Sequence, residues 1–242
     1  MPSLPKWLAN GMEKVFNGMM NPVEVLQTHY YHPHLKWVQF SGDLSNTKFE
    51  AGKVIEFRIS DTDFRHYTPA LYDQAKGICE VFFYLHGYGP GSAWADRLEA
   101  GDQMKLMGPG GRMSYQEANN YHVCFGDESS LGLCLNLQNK AKGQGDSFQC
   151  LLELEEKHHT WPELISLQAR SLGKSEAFPA QEAIEFLEAW PQQKWQQWQE
   201  ASFYLSGRAK SIQRIRKTLL AKGVHTKQII TFPYWAEGKK GL

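Results

Sequence analysis

The sequence lacks an excess of charge of either sign. Lysine and arginine together number 26, and aspartate and glutamate together also number 26, among 242 residues. A chain with no formal net charge has no overall field that would recruit nucleic acid or an anionic membrane surface. We therefore expect no nucleic-acid partner, and any charged ligand must be bound by a local cluster of side chains.

Long hydrophobic runs are also missing. No segment approaches the roughly 18 consecutive apolar residues of a transmembrane helix. The amino-terminal stretch MPSLPKWLANGMEKVFNGMMNPVEVL has neither the apolar core nor the small-residue cleavage site of a signal peptide. We therefore predict a cytoplasmic protein without membrane insertion.

Cysteine is scarce and its spacing is uninformative. The four cysteines, Cys79, Cys124, Cys134 and Cys150, form no C-x-x-C pair and no zinc-ligand spacing. We interpret them as buried thiols in a reducing compartment and expect no iron-sulfur cluster in this chain.

The segment HYYHPH contains three histidines, His29, His32 and His34. Strand geometry would send His32 and His34 to the same face. Pro33 disrupts the hydrogen-bonded ladder, however, and no carboxylate or cysteine completes a ligand set. We therefore predict no metal site in the protein.

The pattern of secondary structure changes along the chain. The first half contains short segments rich in aromatic and β-branched residues, such as KVIEFRIS and ICEVFFYLHG, which favours an antiparallel barrel or sandwich. From about Tyr115, strands alternate with helices, which implies a parallel sheet covered on both faces. The length also favours two domains. We predict a β domain followed by an α/β domain, with the boundary near residues 111–115.

The stretch FRHYTPALYD places Arg65 two residues before Tyr67. Alternation along a strand puts these two on one face, and it puts His66 on the other face. Thr68 belongs with His66 unless the strand ends there and turns inward. A guanidinium can bind a diphosphate, a tyrosine ring can cover an aromatic ring system, and a hydroxyl can bond a ring nitrogen. This set suits a flavin dinucleotide; an exposed arginine on a barrel strand is the alternative.

The stretch LHGYGPGSAWA runs from a hydrophobic strand into glycine, proline and serine, and can then open a helical turn. Backbone N–H groups of Gly91, Ser92 and Ala93 at such a helix start would form a pocket for an anion, and the missing glycine side chains would let a phosphate approach closely. The alternative is a tight turn whose Trp94 fills the core.

Together these pieces resemble a known family. The segments RHYTP, LHGYGPGSAWADRLEAGDQMKLMGPGG, GDESSLGL and PYWAEGKKG follow the order and spacing of the siderophore-interacting proteins, flavin-dependent ferric-siderophore reductases built on the ferredoxin-NADP reductase plan. The resemblance covers nearly the whole chain and is least diagnostic over residues 140–199. It implies an antiparallel Greek-key β-barrel that binds FAD, residues 1–113 with a short amino-terminal extension. A parallel-sheet α/β domain that binds NAD(P)H, residues 114–242 with a carboxy-terminal tail, follows it.

The resemblance also implies particular cofactor contacts. Arg65 would bind the FAD diphosphate, Tyr67 the ring face and Thr68 the ring edge, with His66 beside them. The residues implied for the adenine-diphosphate half are His86, Gly91, Ser92, Ala93 and Trp94. The residues implied for the nicotinamide nucleotide are Gly126, Asp127, Glu128 and Ser129. A glycine-ended strand that opens a helix is where parallel sheets bind nucleotides, although the two acidic residues would also serve as ordinary helix caps.

Three positions depart from the family pattern. Ala70 stands where the family commonly has a basic residue, the turn SGRA stands where it has a glutamate, and Ala236 follows the terminal Tyr-Trp where it often has an arginine. These changes leave the flavin site intact. They bear on the nucleotide and siderophore sites, because the lost charges belong to those regions.

Further predictions concern the carboxy-terminal charges and rings. Arg208 is predicted at the nucleotide edge after the strand FYLSG, on a basic helix that could meet a 2′-phosphate or form a solvated face. Tyr234 and Trp235 are predicted on the nicotinamide side of the flavin. Lys239 and Lys240 are predicted to bind an anionic ferric chelate, with disordered tail lysines as the alternative.

The implied function is an FAD-dependent reductase that transfers electrons from NAD(P)H through flavin to a ferric siderophore and releases ferrous iron for cytoplasmic use. We nominate no catalytic acid or base, because the flavin carries the electrons. A reduced ferredoxin is an alternative donor. The rival functions are a flavin reductase with a protein or free-flavin acceptor and a non-catalytic ferric-chelate carrier.

Overall fold

The structure, a computed structural model, describes residues 20–239. They fall into two compact units, one ending at Arg112 and the other comprising Met113–Lys239. The predicted division between residues 113 and 114 adjoins this point and stays a prediction. Within residues 20–239 no helix is long and apolar enough to cross a membrane.

Residues 20–112 form an antiparallel sheet of seven strands in the order β4-β3-β7-β1-β2-β6-β5. Its elements are β1 (Met20–His32), β2 (Leu35–Gly42), β3 (Val54–Arg58), β4 (Phe64–Tyr67), β5 (Leu71–Asp73), β6 (Ile78–Tyr84), α1 (Gly89–Arg97) and β7 (Gln103–Gly110). β7 returns to lie between β1 and β3, after a long connection of the kind found in Greek keys.

The two edge strands of this sheet are consecutive in the chain. β4 ends at Tyr67 and β5 begins at Leu71, and such a connection spans at most about 14 Å. In a flat sheet, a strand spacing of about 4.8 Å would separate the first and seventh strands by about 29 Å. The sheet must therefore curve round into a barrel, as the sequence predicts.

Alternating side chains fill this barrel. In β6 the residues Cys79, Val81 and Phe83 are buried and alternate with more exposed neighbours, because successive side chains of a strand point to opposite faces. Phe40 and Phe57 lie in the same core with ring centroids 5.0 Å apart.

Residues 113–239 form a parallel sheet of five strands in the order β10-β9-β8-β11-β12. The strands are β8 (Tyr121–Asp127), β9 (Ser147–Leu154), β10 (Arg170–Gly173), β11 (Ser202–Arg208) and β12 (Ile229–Trp235). The helices are α2 (Leu131–Gln144), α3 (Trp161–Leu164), α4 (Gln181–Glu188), α5 (Gln192–Trp198) and α6 (Ala209–Ala221). Short 3₁₀ turns cover Glu128–Ser130, Glu156–His158 and Thr226–Gln228.

The winding of this sheet reverses between β8 and β11. From β8 the chain proceeds to β9 and β10 on one side, and later to β11 and β12 on the other. Open parallel sheets bind ligands beyond the carboxyl ends of the strands at such a reversal. β8 ends at Asp127 and β11 ends at Arg208, so these two residues mark the expected crevice.

Two strands differ from the sequence-based expectation. β5 and β10 are absent from the strands that the sequence predicts. β10 contains one buried apolar residue, Leu172, so the alternation that identifies a strand is missing. Pro191 separates α4 from α5 and immediately precedes the first residue of α5.

Candidate functional site

Arg65, Tyr67 and Gly91 lie together in the amino-terminal unit. A Cβ atom at Gly91 would lie 3.2 Å from Tyr67 Oη and 3.4 Å from Arg65 Cγ. Gly91 belongs to the first turn of α1, so β4 and the glycine-rich loop meet at one place. Arg65 and Tyr67 therefore share a strand face, as their spacing predicts.

The Tyr67 ring packs against other aromatic rings. Its centroid lies 4.7 Å from that of Phe83 and 6.1 Å from that of Trp94. Burial raises the pKa of the Tyr67 hydroxyl well above its ordinary value, although Arg65 opposes this effect. The hydroxyl is thus a neutral donor that reaches the glycine-rich loop.

Trp94 fills the core beneath the same loop. Its ring also lies 5.3 Å from Phe57 and 5.9 Å from Phe83. This packing is the alternative that the sequence left open for Trp94. Contact between Trp94 and a cofactor stays a prediction.

The start of α1 is shaped by glycine. Gly87 and Gly89 have φ angles of +79° and +80°, in the left-handed region that favours this residue. Ser92 Oγ accepts a hydrogen bond from Gly87 N–H at 3.2 Å, which fixes the loop. Within the described chain, α1 begins with no side-chain cap and no acidic residue in its first turn. Its first N–H groups therefore suit an anion.

The Arg65 guanidinium is held beside this loop by its own strand. Nη1 donates to the Phe64 carbonyl oxygen at 2.7 Å, and Nη2 lies 3.5 Å from Asp63 Oδ1. A guanidinium has five N–H donors, so several are left for a ligand.

The remaining predicted residues of this region have different surroundings. His66 Nε2 lies 2.6 Å from Glu56 Oε2. Thr68 is buried at the end of β4, and Ala93 is exposed on α1. His86 is exposed, and its Nδ1 accepts from Tyr88 N–H at 3.2 Å. Their contacts with a cofactor stay predictions.

In the carboxy-terminal unit, Asp127 anchors the end of β8. Its Oδ1 accepts from Ser129 N–H at 2.9 Å and from Ser129 Oγ at 2.5 Å, and its Oδ2 accepts from Trp235 Nε1 at 2.6 Å. Burial, with a smaller effect from Glu128, raises the pKa of the Asp127 carboxyl. Asp127 thus caps the turn that follows it, the second role that the sequence allowed.

Glu128 points into the protein. Its Oε1 accepts from Glu155 N–H at 2.8 Å and lies 3.1 Å from His158 Nδ1, and its Oε2 accepts from Lys174 Nζ at 2.8 Å. Burial opposes ionisation, but Lys174 and the hydrogen bonds hold the pKa of Glu128 below its ordinary value. Both carboxylate oxygens are therefore used within the protein, and a nucleotide contact stays a prediction.

Two glycines let β8 and β11 approach their neighbours closely. A Cβ atom at Gly126 would overlap the side chain of Ser130, and one at Gly207 would lie 2.5 Å from Asp127 Cγ. Gly207 also has a φ angle of +90°. The carboxyl ends of both strands therefore depend on glycine.

Arg208 lies at the predicted edge of the sheet, and its side chain is only 1% exposed. Nε donates to Glu237 Oε1 at 2.5 Å, Nη1 to the Ser175 carbonyl oxygen at 3.1 Å, and Nη2 to Glu176 Oε2 at 2.8 Å. The guanidinium carbon lies 5.7 Å from the Trp235 ring centroid. A 2′-phosphate contact of Arg208 stays a prediction, because protein groups hold the guanidinium here.

Comparison with known proteins assigns the first of these regions. Residues 49–113 match the family model of the siderophore-interacting FAD-binding domain. Over these residues the chain is similar to that domain. This match spans β3–β7 with α1, and so includes Arg65, Tyr67 and Gly91.

Relatives are found over longer stretches. The ferric vibriobactin reductase ViuB of Vibrio cholerae is 29% identical over 181 residues, which cover 72% of this chain and 65% of ViuB, just under two thirds of its length. The NADPH-dependent ferric-chelate reductase of Escherichia coli is 34% identical over 67 residues, 28% of this chain and 26% of that protein. The structure of the siderophore-interacting protein SipS from Aeromonas hydrophila shares the fold, with a TM-score of 0.73, 18% identity and coverage of 92% of this chain and 94% of SipS.

The residues of the region that matches this family model fit the diphosphate of FAD. Arg65 supplies cationic donors, the start of α1 supplies uncapped N–H groups, and Gly91 presents only hydrogen where a Cβ atom would fill the space beside Arg65 and Tyr67.

Some residues at the sheet edge were missed from the sequence. Lys174 and Glu176 pair with predicted site residues but lie in a segment that looks like ordinary surface sequence. Glu237 belongs to the terminal PYWAEGKKG segment but was not itself predicted as a site residue. The sequence also did not predict a cluster of three thiols. The sulfur atoms of Cys124, Cys134 and Cys150 lie within 4.8 Å of one another. Their separation along the chain gave no signal of this proximity.

Proposed function

We propose that the protein is a reductase that uses FAD to transfer electrons from NAD(P)H to a ferric siderophore. The observation that best supports this proposal is that a Cβ atom at Gly91 would crowd both Arg65 and Tyr67, within the region that matches the FAD-binding family model. The names of the two relatives, a ferric vibriobactin reductase and an NADPH-dependent ferric-chelate reductase, support the classes of acceptor and donor.

In this proposal the residues of the protein bind FAD and orient it. Arg65 holds the diphosphate by charge-assisted hydrogen bonds, the first turn of α1 binds the same anion, and Tyr67 borders the flavin ring. When bound, FAD accepts two electrons as a hydride and releases them singly. No side chain is assigned the role of a general acid or base.

The nicotinamide nucleotide is proposed to bind at the winding reversal of the parallel sheet. Residues 126–129 end β8, and Arg208 ends β11 beside them. Tyr234 and Trp235 at the end of β12 complete this proposed site. Lys239 is proposed to attract the anionic chelate together with Lys240, which lies outside the described residues.

Iron in this proposal is cargo of the substrate. Siderophores bind Fe(III) through hard oxygen ligands, and reduction to Fe(II) weakens that binding and frees the metal. The proposed location is the cytoplasm, where the ferrous iron is used. Four buried cysteines carried as free thiols agree with a reducing compartment.

An anaerobic experiment tests this function. The purified flavoprotein is mixed with NADH, NADPH or reduced ferredoxin, and the flavin absorbance is followed. A ferric siderophore is then added with a colorimetric ferrous chelator. We expect bleaching by a nicotinamide nucleotide, followed by reoxidation with stoichiometric ferrous iron. A flavin that no donor reduces would favour the carrier, and reoxidation by free flavin but not by the ferric chelate would favour the rival flavin reductase.

A further inference from the structure

The carboxylate of Glu237 lies between two cationic side chains, Arg208 and Lys210, at the carboxyl edge of the parallel sheet. Its Oε1 accepts from Arg208 Nε at 2.5 Å and also contacts Nη2, and its Oε2 lies 3.7 Å from Lys210 Nζ. Arg208 is the last residue of β11, and Lys210 lies in the first turn of α6. This is the winding reversal where parallel sheets bind nucleotides.

Arg208 has more anionic partners than its charge requires. A buried guanidinium needs a counter-charge because desolvation is costly. Here Glu176 and Glu237 both supply one, and the Ser175 carbonyl oxygen accepts a further hydrogen bond. One carboxylate can therefore leave without stranding the cation, provided that another anion arrives.

Glu237 is the carboxylate that can leave at low cost. The pairing of β12 with β11 ends at Trp235, whose partner is Arg208. Glu237 lies beyond that pairing, and its side chain is 33% exposed. Releasing it therefore breaks an ion pair but no strand hydrogen bond. Its own backbone N–H and Arg208 outweigh burial and lower the pKa of Glu237, so it is an anion at neutral pH.

We propose that Glu237 is an intramolecular substitute for a nucleotide phosphate: its carboxylate holds Arg208 and Lys210 until a phosphate of the nicotinamide nucleotide replaces it. This inference rests on the proposed function, which supplies the nucleotide. When the phosphate replaces the carboxylate, Arg208 and Lys210 still have an anionic partner. A phosphate also binds a guanidinium bidentately. Only molecules in which Glu237 has left Arg208 can bind the nucleotide phosphate. The apparent nucleotide affinity is therefore the intrinsic affinity multiplied by the fraction of such molecules.

The two carboxylates on Arg208 provide a matched pair of variants. Binding of ADP and of 2′,5′-ADP, neither of which can reduce flavin, is measured by calorimetry on the full-length, FAD-loaded protein. We expect Glu237→Gln to tighten binding on the order of tenfold. Glu176→Gln removes the same charge from the same guanidinium without touching the tail, and should change affinity less than about twofold. Tightening for both ligands assigns the 5′-phosphate that they share to this position. Tightening for ADP alone assigns the outer phosphate of its diphosphate, and tightening for 2′,5′-ADP alone assigns the 2′-phosphate.

Hydrogen exchange of the carboxy-terminal tail, residues 236–239, provides an independent measurement. Saturation with a ligand whose binding Glu237→Gln tightens should speed amide hydrogen exchange of residues 236–239 in the unmodified protein, and Glu237→Gln should show fast exchange without nucleotide. FAD absorbance and the thermal midpoint of each variant report that the fold is retained.

These experiments distinguish a failure of the Glu237 proposal from a failure of the proposed function. Equal affinities for the unmodified protein and Glu237→Gln, or equal tightening by both variants, overturn the substitution proposal and leave the proposed function intact. If neither protein binds either nucleotide, and the flavin is not reduced by NADH or NADPH, the nucleotide half of the proposed function fails together with it. Slower exchange of residues 236–239 in the presence of a ligand whose binding Glu237→Gln tightens also overturns the proposal.

Discussion

A Cβ atom at Gly207 would lie 2.5 Å from the carboxyl carbon of Asp127. The space that a side chain would take on β11 is filled by the carboxylate at the end of β8. That carboxylate accepts the indole N–H of Trp235 at 2.6 Å. A glycine in one strand thereby positions the aspartate that holds the last strand of the sheet.

Gly207→Ala should destabilise the protein through both strain and collision. The left-handed backbone at φ +90° costs about 1–2 kcal/mol for alanine, and the collision with Asp127 should add about 1–3 kcal/mol. Gly223→Ala is the control, because Gly223 has the same φ of +90° but no neighbour within 4 Å of a Cβ atom. Urea denaturation measures both variants. Equal losses of unfolding free energy would contradict the collision.

Arg65→Ala should weaken FAD binding by about 1.5–3 kcal/mol, because a charge-assisted contact to the diphosphate is lost. The flavin content after dialysis measures this loss. Arg58→Ala is the control, because the Arg58 guanidinium donates to the carbonyl oxygens of Ser60 and Asp61 in the turn of the hairpin. Full retention of flavin by Arg65→Ala would place the diphosphate elsewhere.

Gly91→Ala should also lower FAD affinity while preserving the fold. The added Cβ would stand 3.2 Å from Tyr67 Oη and 3.4 Å from Arg65 Cγ, where the diphosphate is proposed to pass. Gly110→Ala is the matched variant, because a Cβ atom there would meet nothing within 4 Å. Fluorescence titration with FAD compares the two apoproteins. Identical affinities would show that the ligand does not approach Gly91.

Glu128→Gln should change how stability depends on pH. The pKa of Glu128 lies below its ordinary value of 4.5 in the folded protein, so the unfolded chain binds the proton more readily. Glu128 therefore stabilises the fold above about pH 4.5, and this contribution is lost as the pH falls further. The variant should be less stable near neutral pH by about 3–5 kcal/mol, because Lys174 loses its buried partner.

Urea midpoints measured from neutral pH down to about pH 3.5 test this change. The midpoint of the variant should fall less steeply below pH 4.5 than that of the unmodified protein. The surface variant Glu163→Gln should follow the unmodified curve. A Glu128→Gln curve parallel to the unmodified one would show that Glu128 is not the titrating group.

Replacing Lys239 and Lys240 by glutamine should raise the apparent KM for an anionic ferric chelate. Long-range attraction by lysines is screened by salt over about 8 Å at physiological ionic strength. The variant should therefore show a flatter salt dependence, with unchanged flavin reduction by the nicotinamide donor. A neutral ferric chelate is the control substrate. Unchanged kinetics with the anionic chelate across the salt series would assign its docking elsewhere.

Local sequence signals predicted the elements better than their pairings. The periodicity and glycine punctuation predicted the barrel strands and the alternating strands and helices that followed, except β5, β10 and the one-turn helix α3. The spacing of Arg65 and Tyr67 also predicted their shared face. Nothing local indicated that Glu128 would be enclosed by Lys174 and His158, because those partners come from distant segments.

Two departures from the family pattern illustrate the same division. The turn SGRA and the sequence YWAEG each looked like the loss of a charged residue. In the structure they meet, and Arg208 from the first forms an ion pair with Glu237 from the second. The gain of an ion pair was invisible while the two segments were interpreted separately.

The sequence by itself determined the fold class, the order of the two units and the segments that carry the cofactor motifs, because these depend on side-chain period, backbone freedom and short-range spacing. The tertiary structure alone decided which charges neutralise each other and which groups close the edge of the parallel sheet. Those pairings depend on β11 lying beside β8 and on the register that sets Arg208 opposite Trp235. Strand order and register join residues far apart in the chain, and no local pattern encodes them.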